Sequence, residues 1–371
     1  MTPPQLVEDA VGEILLRLPP DDPACLVRAA AVCTAWRAIL ADPAFSVRYR
    51  AFHRTAPVVR GVLRNLPQQG LARFIPTSSF RPSTVDHRNR EVLDCRHGRV
   101  LLRDISSWDL VVWDPITGDQ HGLPTVPEIG FLMFCNAAVL CAAAGCDHHG
   151  CHGGPFLVAF VATSLLDGGR ARACLYSSVT GYWSAPTFID ATCFAENQPA
   201  ALVGDALYFF VTHDDDNFDC LGILQYDLVG RHLTKIDPPD IYYDDGIAIM
   251  PAEDGNLGFA GLECGTLCMW RTAIGPNGDA EWEEHKTIDL ETLLPEGNHT
   301  RLPYFIGFAD VDGANIIYVN TEDGLFTIEL NSLSMTKVCE NYESHTVFPF
   351  MSFYTPAFAS GRPSSPEGIQ G

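Results

Sequence analysis

The chain has 371 residues, 47% of them hydrophobic and 19% charged. That is a globular composition, enough for one large domain or two unequal ones, and it excludes a disordered chain. With 24 Lys and Arg against 46 Asp and Glu the net charge is −22, which repels phosphate backbones and anionic lipid and argues against nucleic-acid or membrane-surface binding.

No apolar run is long enough to span a bilayer. The best candidate, 131–145, is short and carries Asn136, so it reads as core. The first twenty residues lack a basic start and an unbroken apolar run, so no secretion signal is expected. The 13 cysteines then read as reduced thiols of a cytoplasmic or nuclear protein. Charge is uneven: residues 1–103 carry a net +6 and residues 104–371 a net −28, a change of surface that marks two regions.

The chain opens with helical periodicity. Val7, Val11, Ile14 and Leu18 recur at helical spacing, with Leu15 beside them, and Pro19-Pro20 stops the helix. Asp22-Pro23 is a cap followed by proline at the first helical position. Leu26, Ala29, Ala30 and Cys33 continue a second buried face, followed by Trp36, Ile39 and Leu40. Asp42-Pro43 is a further cap signal, before a short helix with Phe45, Val47 and Tyr49.

These pieces fall in a fixed order: Leu6-Val7-Glu8-Asp9, Ile14-Leu15-Leu16-Arg17-Leu18-Pro19, Val32-Cys33-Thr34-Ala35-Trp36-Arg37 and Leu40-Ala41-Asp42-Pro43-Ala44-Phe45. Together they resemble an F-box over residues 5–50, with Val7 standing where the family usually has proline. The resemblance implies a trihelical unit that docks on a SKP-family adaptor, and through it on cullin and RING subunits of a ubiquitin ligase. The adaptor-binding candidates are Leu6, Val7, Ile14, Leu15, Leu18, Pro19, Leu26, Val32, Cys33 and Trp36. Some of these must instead hold the helices together, and spacing alone does not separate the two groups.

From about residue 92 the texture becomes strand-like, with Val, Ile, Phe, Tyr and Leu runs cut by Gly, Asp, Asn and Pro. A unit recurs around Trp113, Tyr176, Tyr226, Trp270 and Thr327, at steps of 63, 50, 44 and 57 residues. Each is preceded by another apolar run: 100–102, 156–160, 206–211, 257–260 and 316–319. Steps near 50 suit four-stranded propeller blades, which bury both faces only by stacking in a ring. A different all-β sandwich or a mixed α/β fold is the alternative. Five units are visible, and a sixth is available from residues 56–95 with a closing strand near 345–356.

Residues 113–118 and 226–230, and the end 345–356, resemble the propeller-like F-box-associated domains of plant F-box proteins, including the kelch-related group. Neither the paired-glycine kelch signature nor a Gly-His…Trp-Asp signature is present. The expected fold is thus a multidomain α+β chain. A helical domain occupies 1–55, a connecting segment 56–95 contributes strands, an all-β propeller-like domain fills 96–358, and a Gly/Ser/Pro-rich tail, 359–371, is expected to be disordered.

Candidate chemistry is sparse. Cys141, Cys146, His148, His149, Cys151 and His152 are thiolate and imidazole donors of the type zinc takes. Zinc modules usually pair two separated knuckles, so the expectation here is an inter-strand loop after a strand over 137–144, with no metal and no cofactor. Asp214-Asp215-Asp216, Asp219 and Asp244-Asp245 lack calcium-loop spacing and read as solvated turns; together they offer a surface for a basic partner. No P-loop, Gly-x-Ser-x-Gly, His-Glu-x-x-His or dinucleotide glycine pattern occurs. The expected function is therefore non-catalytic: the substrate-recognition subunit of a SKP–cullin–F-box ubiquitin ligase, its β domain binding a protein substrate. An interaction scaffold without ligase function, and a metal-binding or hydrolytic propeller, are the alternatives.

Overall fold

The structure, a computed structural model, describes residues 7–19, 24–53 and 58–352, the last span without Ser79, 128–132, Asp147, 149–150, His152, 165–169, Thr192, 216–217, 240–245, 275–279, Glu291, 294–303, 312–313 and 341–345. The expected tail, the Asp22-Pro23 cap and Leu6 lie outside the described residues.

Four helices come first: α1 (Glu8–Leu16), α2 (Ala24–Val32), α3 (Thr34–Ala41) and α4 (Pro43–His53). They enclose one core of Val11, Leu15, Leu16, Leu26, Ala29, Ala30, Leu40, Phe45 and Tyr49. The buried face of α1 is turned from the expected stripe. Of Val7, Val11, Ile14 and Leu18, only Val11 is fully buried, while Leu15 and Leu16 fill the interior. The reason is that α4 packs on α1 from the Leu15–Leu16 side. Tyr49 Oη donates to Leu18 O (2.8 Å), and a ring nitrogen of His53 meets Leu16 O (2.7 Å), so α4 satisfies carbonyls at the frayed end of α1. Cys33 is not core either. It is the exposed N-cap of α3, its sulfur accepting from Trp36 N–H. Asp42 caps α4 as expected, its Oδ1 taking the Ala44 N–H at 2.9 Å.

The rest is strand. The first sheet holds β1 (Val58–Leu66), β2 (Leu71–Pro76) and β3 (Asp86–Arg88). The second is β4 (Arg90–Arg96), β5 (Arg99–Asp104), β6 (Leu110–Trp113) and β7 (Gln120–Gly122). The third is β8 (Met133–Cys141), β9 (Phe156–Ser164) and β10 (Ala171–Ser177), with a broken outer strand β11 (Tyr182–Trp183) and β12 (Thr187–Ile189). The fourth has a broken inner strand, β13 (Phe194–Ala195) and β14 (Ala201–Val203), then β15 (Ala206–Asp215), β16 (Phe218–Asp227) and β17 (Leu233–Ile236). The fifth is β18 (Ile247–Pro251), β19 (Leu257–Glu263), β20 (Thr266–Ile274) and β21 (Ala280–Asp289). The sixth is β22 (Tyr304–Val311), β23 (Ala314–Thr321), β24 (Gly324–Glu329) and β25 (Met335–Cys339). The last strand, β26 (Phe348–Ser352), returns to the first sheet and pairs antiparallel with β1, from Val58 against Ser352 to Leu63 against Phe348.

These are six blades of a closed propeller. Neighbouring inner strands touch in ring order, β26 to β4 to β8 to β13, then β14 to β18 to β22 and back to β26. The segment between the helices and residue 95 is thus blade 1 with the start of blade 2. Trp113, Tyr176, Tyr226, Trp270 and Thr327 all sit on the third strand of their blades, and the apolar runs before them are the second strands.

Each second strand is buried on both faces. Leu63 faces the seam of blades 1 and 2 while Val62 faces the seam of blades 6 and 1. Val100 and Leu102 point one way and Leu101 the other. Leu207, Phe209 and Val211 oppose Phe210, and Ile317 and Val319 oppose Tyr318. A strand between two apolar seams reads as a continuous hydrophobic run, which is why these segments show no alternation. No helix among the described residues is long and apolar enough to cross a membrane.

Candidate adaptor face, central cavity and thiol cluster

Burial divides the adaptor-binding candidates. Leu15 (1% exposed) and Leu26 (0%) belong to the helical core, so these two are among the candidates whose side chains hold the helices together. Val7 (70%), Ile14 (44%) and Val32 (63%) stand in solvent, Cys33 and Pro19 are exposed, and Leu18 and Trp36 are half-buried. Val7 and Ile14 lie seven residues apart, two turns along one side of α1. Val47 (56%) and Phe52 (50%) of α4 join them. The sequence pattern did not single these two out as exposed, because a helical stripe shows which residues are apolar and not which of two apolar faces is covered.

In an antiparallel four-stranded blade, the turns joining strands one to two and three to four lie on one rim. The remaining connections lie on the other. Ile116, in the third-to-fourth turn of blade 2, packs against both the helical core and the seam of blades 1 and 2. β1 also begins on that rim, five residues after α4 ends. The helices therefore sit on the rim of the one-to-two and three-to-four turns. Asp214 and Asp215, paired with Asp219 and Phe218 at the tip of the β15–β16 hairpin, belong to the opposite rim. Asp104, Asp109, Glu263, Glu322 and Asp323 also fall there, in second-to-third turns. Asp216, Asp244 and Asp245 lie outside the described residues.

Inner strands enclose a central cavity of about 250 Å³. Its walls include Ile247, Ile249, Ile306, Phe308, Phe348 and Met351, with Asp94, Cys95, Arg96 and His97 as the ionisable groups among the described residues. Among the described residues, Asp94 is the one carboxylate of this lining. Burial raises its pKa, opposed by Arg96 (Nε 3.6 Å away) and by the N–H groups of Val139 and Cys95. Its Oδ2 accepts from Val139 N–H at 2.9 Å, tying blade 2 to blade 3. Arg96 reaches on to Ala200 O (2.6 Å) in blade 4. These groups brace blades.

The Gly-rich segment between β8 and β9 is an inter-strand connection, as expected, and four of its donors converge. β8 ends at Cys141, earlier than expected, and the donor atoms of Cys141, Cys146, His148 and Cys151 all lie within 4.8 Å of one another. Cys151 is buried, Cys141 and Cys146 are half-buried, and His148 is exposed. Burial, and then the neighbouring Cys141 sulfur, raise the Cys151 thiol pKa. His149 and His152 lie outside the described residues.

Residues 4–48 match the F-box domain, and residues 91–358 match the family described as F-box protein AT5G49610-like, beta-propeller. No curated relative matches the chain. Among solved structures, a chain of the "Crystal structure of Nidogen/Laminin Complex" is similar at 12% identity and a TM-score of 0.41, covering 78% of this chain and 96% of that one. A prolyl endopeptidase structure is similar at 12% identity and a TM-score of 0.35, covering 68% of this chain and 37% of that one. Likeness this distant carries no functional information. The helices with their uncovered apolar side chains and the six-bladed ring behind them agree with the two matched regions: this chain belongs to the F-box proteins with an AT5G49610-like β-propeller.

Proposed function

We propose that this protein is the substrate receptor of a SKP–cullin–F-box ubiquitin ligase in the cytoplasm or nucleus. In this reading the helices bind a SKP-family adaptor, which is what F-box domains do, and the propeller binds a protein substrate. The observation that carries it is the set of apolar side chains left in water on the helical unit, Val7, Ile14 and Val32 foremost. Such a subunit performs no bond chemistry, in keeping with a family of typically non-catalytic adaptors. It raises the effective concentration of a substrate lysine at the ubiquitin-carrying enzyme.

The test is co-purification of the full chain with a SKP-family adaptor. A stoichiometric complex is expected for the wild type, weakened at least about tenfold in Ile14→Asp/Val32→Asp, since central apolar anchors dominate interface energies. Both positions are exposed, so circular dichroism should be unchanged. Leu15→Asp would instead bury a charge in the helical core and report on folding. A folded wild type that binds no adaptor sinks the reading.

For the substrate, support comes from the rim opposite the helices, where second-to-third turns carry Asp104, Asp109, Asp214, Asp215, Glu263 and Asp323. The helices leave that rim open, and its charge favours a basic protein segment. Asp214→Arg/Asp215→Arg should reduce capture of such a substrate while leaving adaptor binding intact. Capture that survives this charge reversal argues for another surface.

A further inference from the structure

The β8–β9 connection gathers the only potential metal-binding group of three or more His, Cys, Asp or Glu residues found among the described residues. Its four donor atoms, three sulfurs and one imidazole nitrogen, lie within 4.8 Å of one another. Ligands on a zinc ion at about 2.3 Å for sulfur and about 2.0 Å for nitrogen stand somewhat under 4 Å apart, so this spacing suits a tetrahedron. His148 presents Nδ1 to Cys151 Sγ at 3.9 Å. Two sulfurs already accept backbone N–H groups: Cys141 Sγ from Ala143, and Cys146 Sγ from His148, both at 3.4 Å.

A second observation lies outside the loop. Arg99, at the start of β5, is 1% exposed. A guanidinium is always charged, and burying one without an anion is costly. Among the described residues no carboxylate lies within ion-pair distance of Arg99. Its donors end on Cys151 O and Gly154 O (2.8 Å to the latter), with Cys151 Sγ 4.0 Å away. The group it approaches is the thiol cluster. A zinc tris-thiolate imidazole centre carries a net charge of −1 and would set an anion beside this cation.

We infer that Cys141, Cys146, His148 and Cys151 form a structural Zn²⁺ site that clasps the β8–β9 connection onto blade 2. Binding releases three thiol protons and forms three Zn–S bonds and one Zn–N bond, with no redox change. Three sulfurs and one imidazole in a closed tetrahedron select zinc over harder cations. The four positions are filled by protein, so the site holds structure and performs no hydrolysis. It ties blade 3 to blade 2 through Arg99 and through His97, whose ring stacks on His148 at 4.0 Å and 12°. His148 holds a left-handed backbone, φ +59, which metal ligation would offset.

The experiment is metal analysis of the full chain purified in reducing buffer, with Cys146→Ser, Cys151→Ser and the exposed control Cys264→Ser. One zinc per chain is expected in the wild type and the control, and loss of at least about nine-tenths of it in the other two. X-ray absorption at the zinc edge of the wild type should show three sulfurs and one nitrogen, a result that does not depend on how the variants fold. Wild-type protein with no zinc, zinc retained in Cys146→Ser, a shell without sulfur, or a disulfide among these cysteines would each overturn the assignment.

Discussion

Single residues of this propeller are decided by burial more than by type. His87 on β3 packs edge-on to the Trp113 ring, 4.2 Å between centroids, and is 4% exposed. Burial, and then the positive Arg90, lower its pKa from 6.5 to about 4. The folded state therefore holds this imidazole neutral while the unfolded chain protonates it. The stability it contributes is complete above pH 6.5 and is lost as pH falls from there through 4. Between pH 7 and pH 5 that amounts to about 2 kcal/mol. Urea unfolding of wild type and His87→Leu at both pH values should show a smaller acid-induced drop in the variant. Equal drops would place the titration elsewhere. No sequence pattern identifies His87 as neutral, because its environment comes from β6 of the next blade.

At the scale of elements, the third-to-fourth strand turns of blades 2, 3, 4 and 6 share one device. A carbonyl accepts the N–H four residues on: Asp114 to Gly118, Ser177 to Gly181, Asp227 to Arg231 and Glu329 to Leu333. The fifth residue is left-handed in each, with φ of 83°, 76°, 57° and 54°. The Asp side chains add bonds within the turn, Asp114 to Ile116 N–H and Asp227 to Val229 N–H. Two of these turns fall at 113–118 and 226–230, the phrases that carried the resemblance in the sequence. Leu333 adopts a conformation that costs an L-residue about 1 kcal/mol, and its side chain is exposed. Leu333→Gly should raise stability by about 0.5 kcal/mol, the entropy of glycine taking back part of the gain. Gly324 is the opposite case: φ is +119, and a Cβ would stand 2.2 Å from Cys339 O. Gly324→Ala should cost about 3 kcal/mol or more in the same denaturation measurement.

The whole molecule depends on closure. Six apolar seams join six blades, and the first blade is completed by β26 from the far end of the chain. Phe348 and Phe350 from β26 pack with Phe74 and Phe80, Phe350 lying 5.8 and 5.9 Å from those two rings. A chain ending at Thr346 would uncover this cluster and leave β1 as an unpaired edge. Such a truncation should lose cooperative thermal unfolding and become sensitive to proteolysis across blades 1 and 6, whereas adaptor binding by the helices should persist. A truncated chain that still melts sharply near the wild-type temperature would show that closure contributes little.

The sequence by itself determined the helical unit, the strand-rich remainder and the identity of the second and third strands, because those signals are local: helical spacing, apolar runs and turn residues. It also offered the closing strand, since the count of visible units fell one blade short of a ring that the first strands could complete. What only the tertiary structure decided concerns faces and distances. Val7, Ile14 and Leu15 are all apolar at one helix, but the shared helical core takes in Leu15 and leaves the other two in water. The four donors of the β8–β9 connection look like loop residues along the chain. They converge because the connection folds back on Cys141 at the end of β8, beside a buried arginine from the neighbouring blade. Periodicity records what a segment prefers to bury; only packing between segments sets which side is buried and which side chains meet.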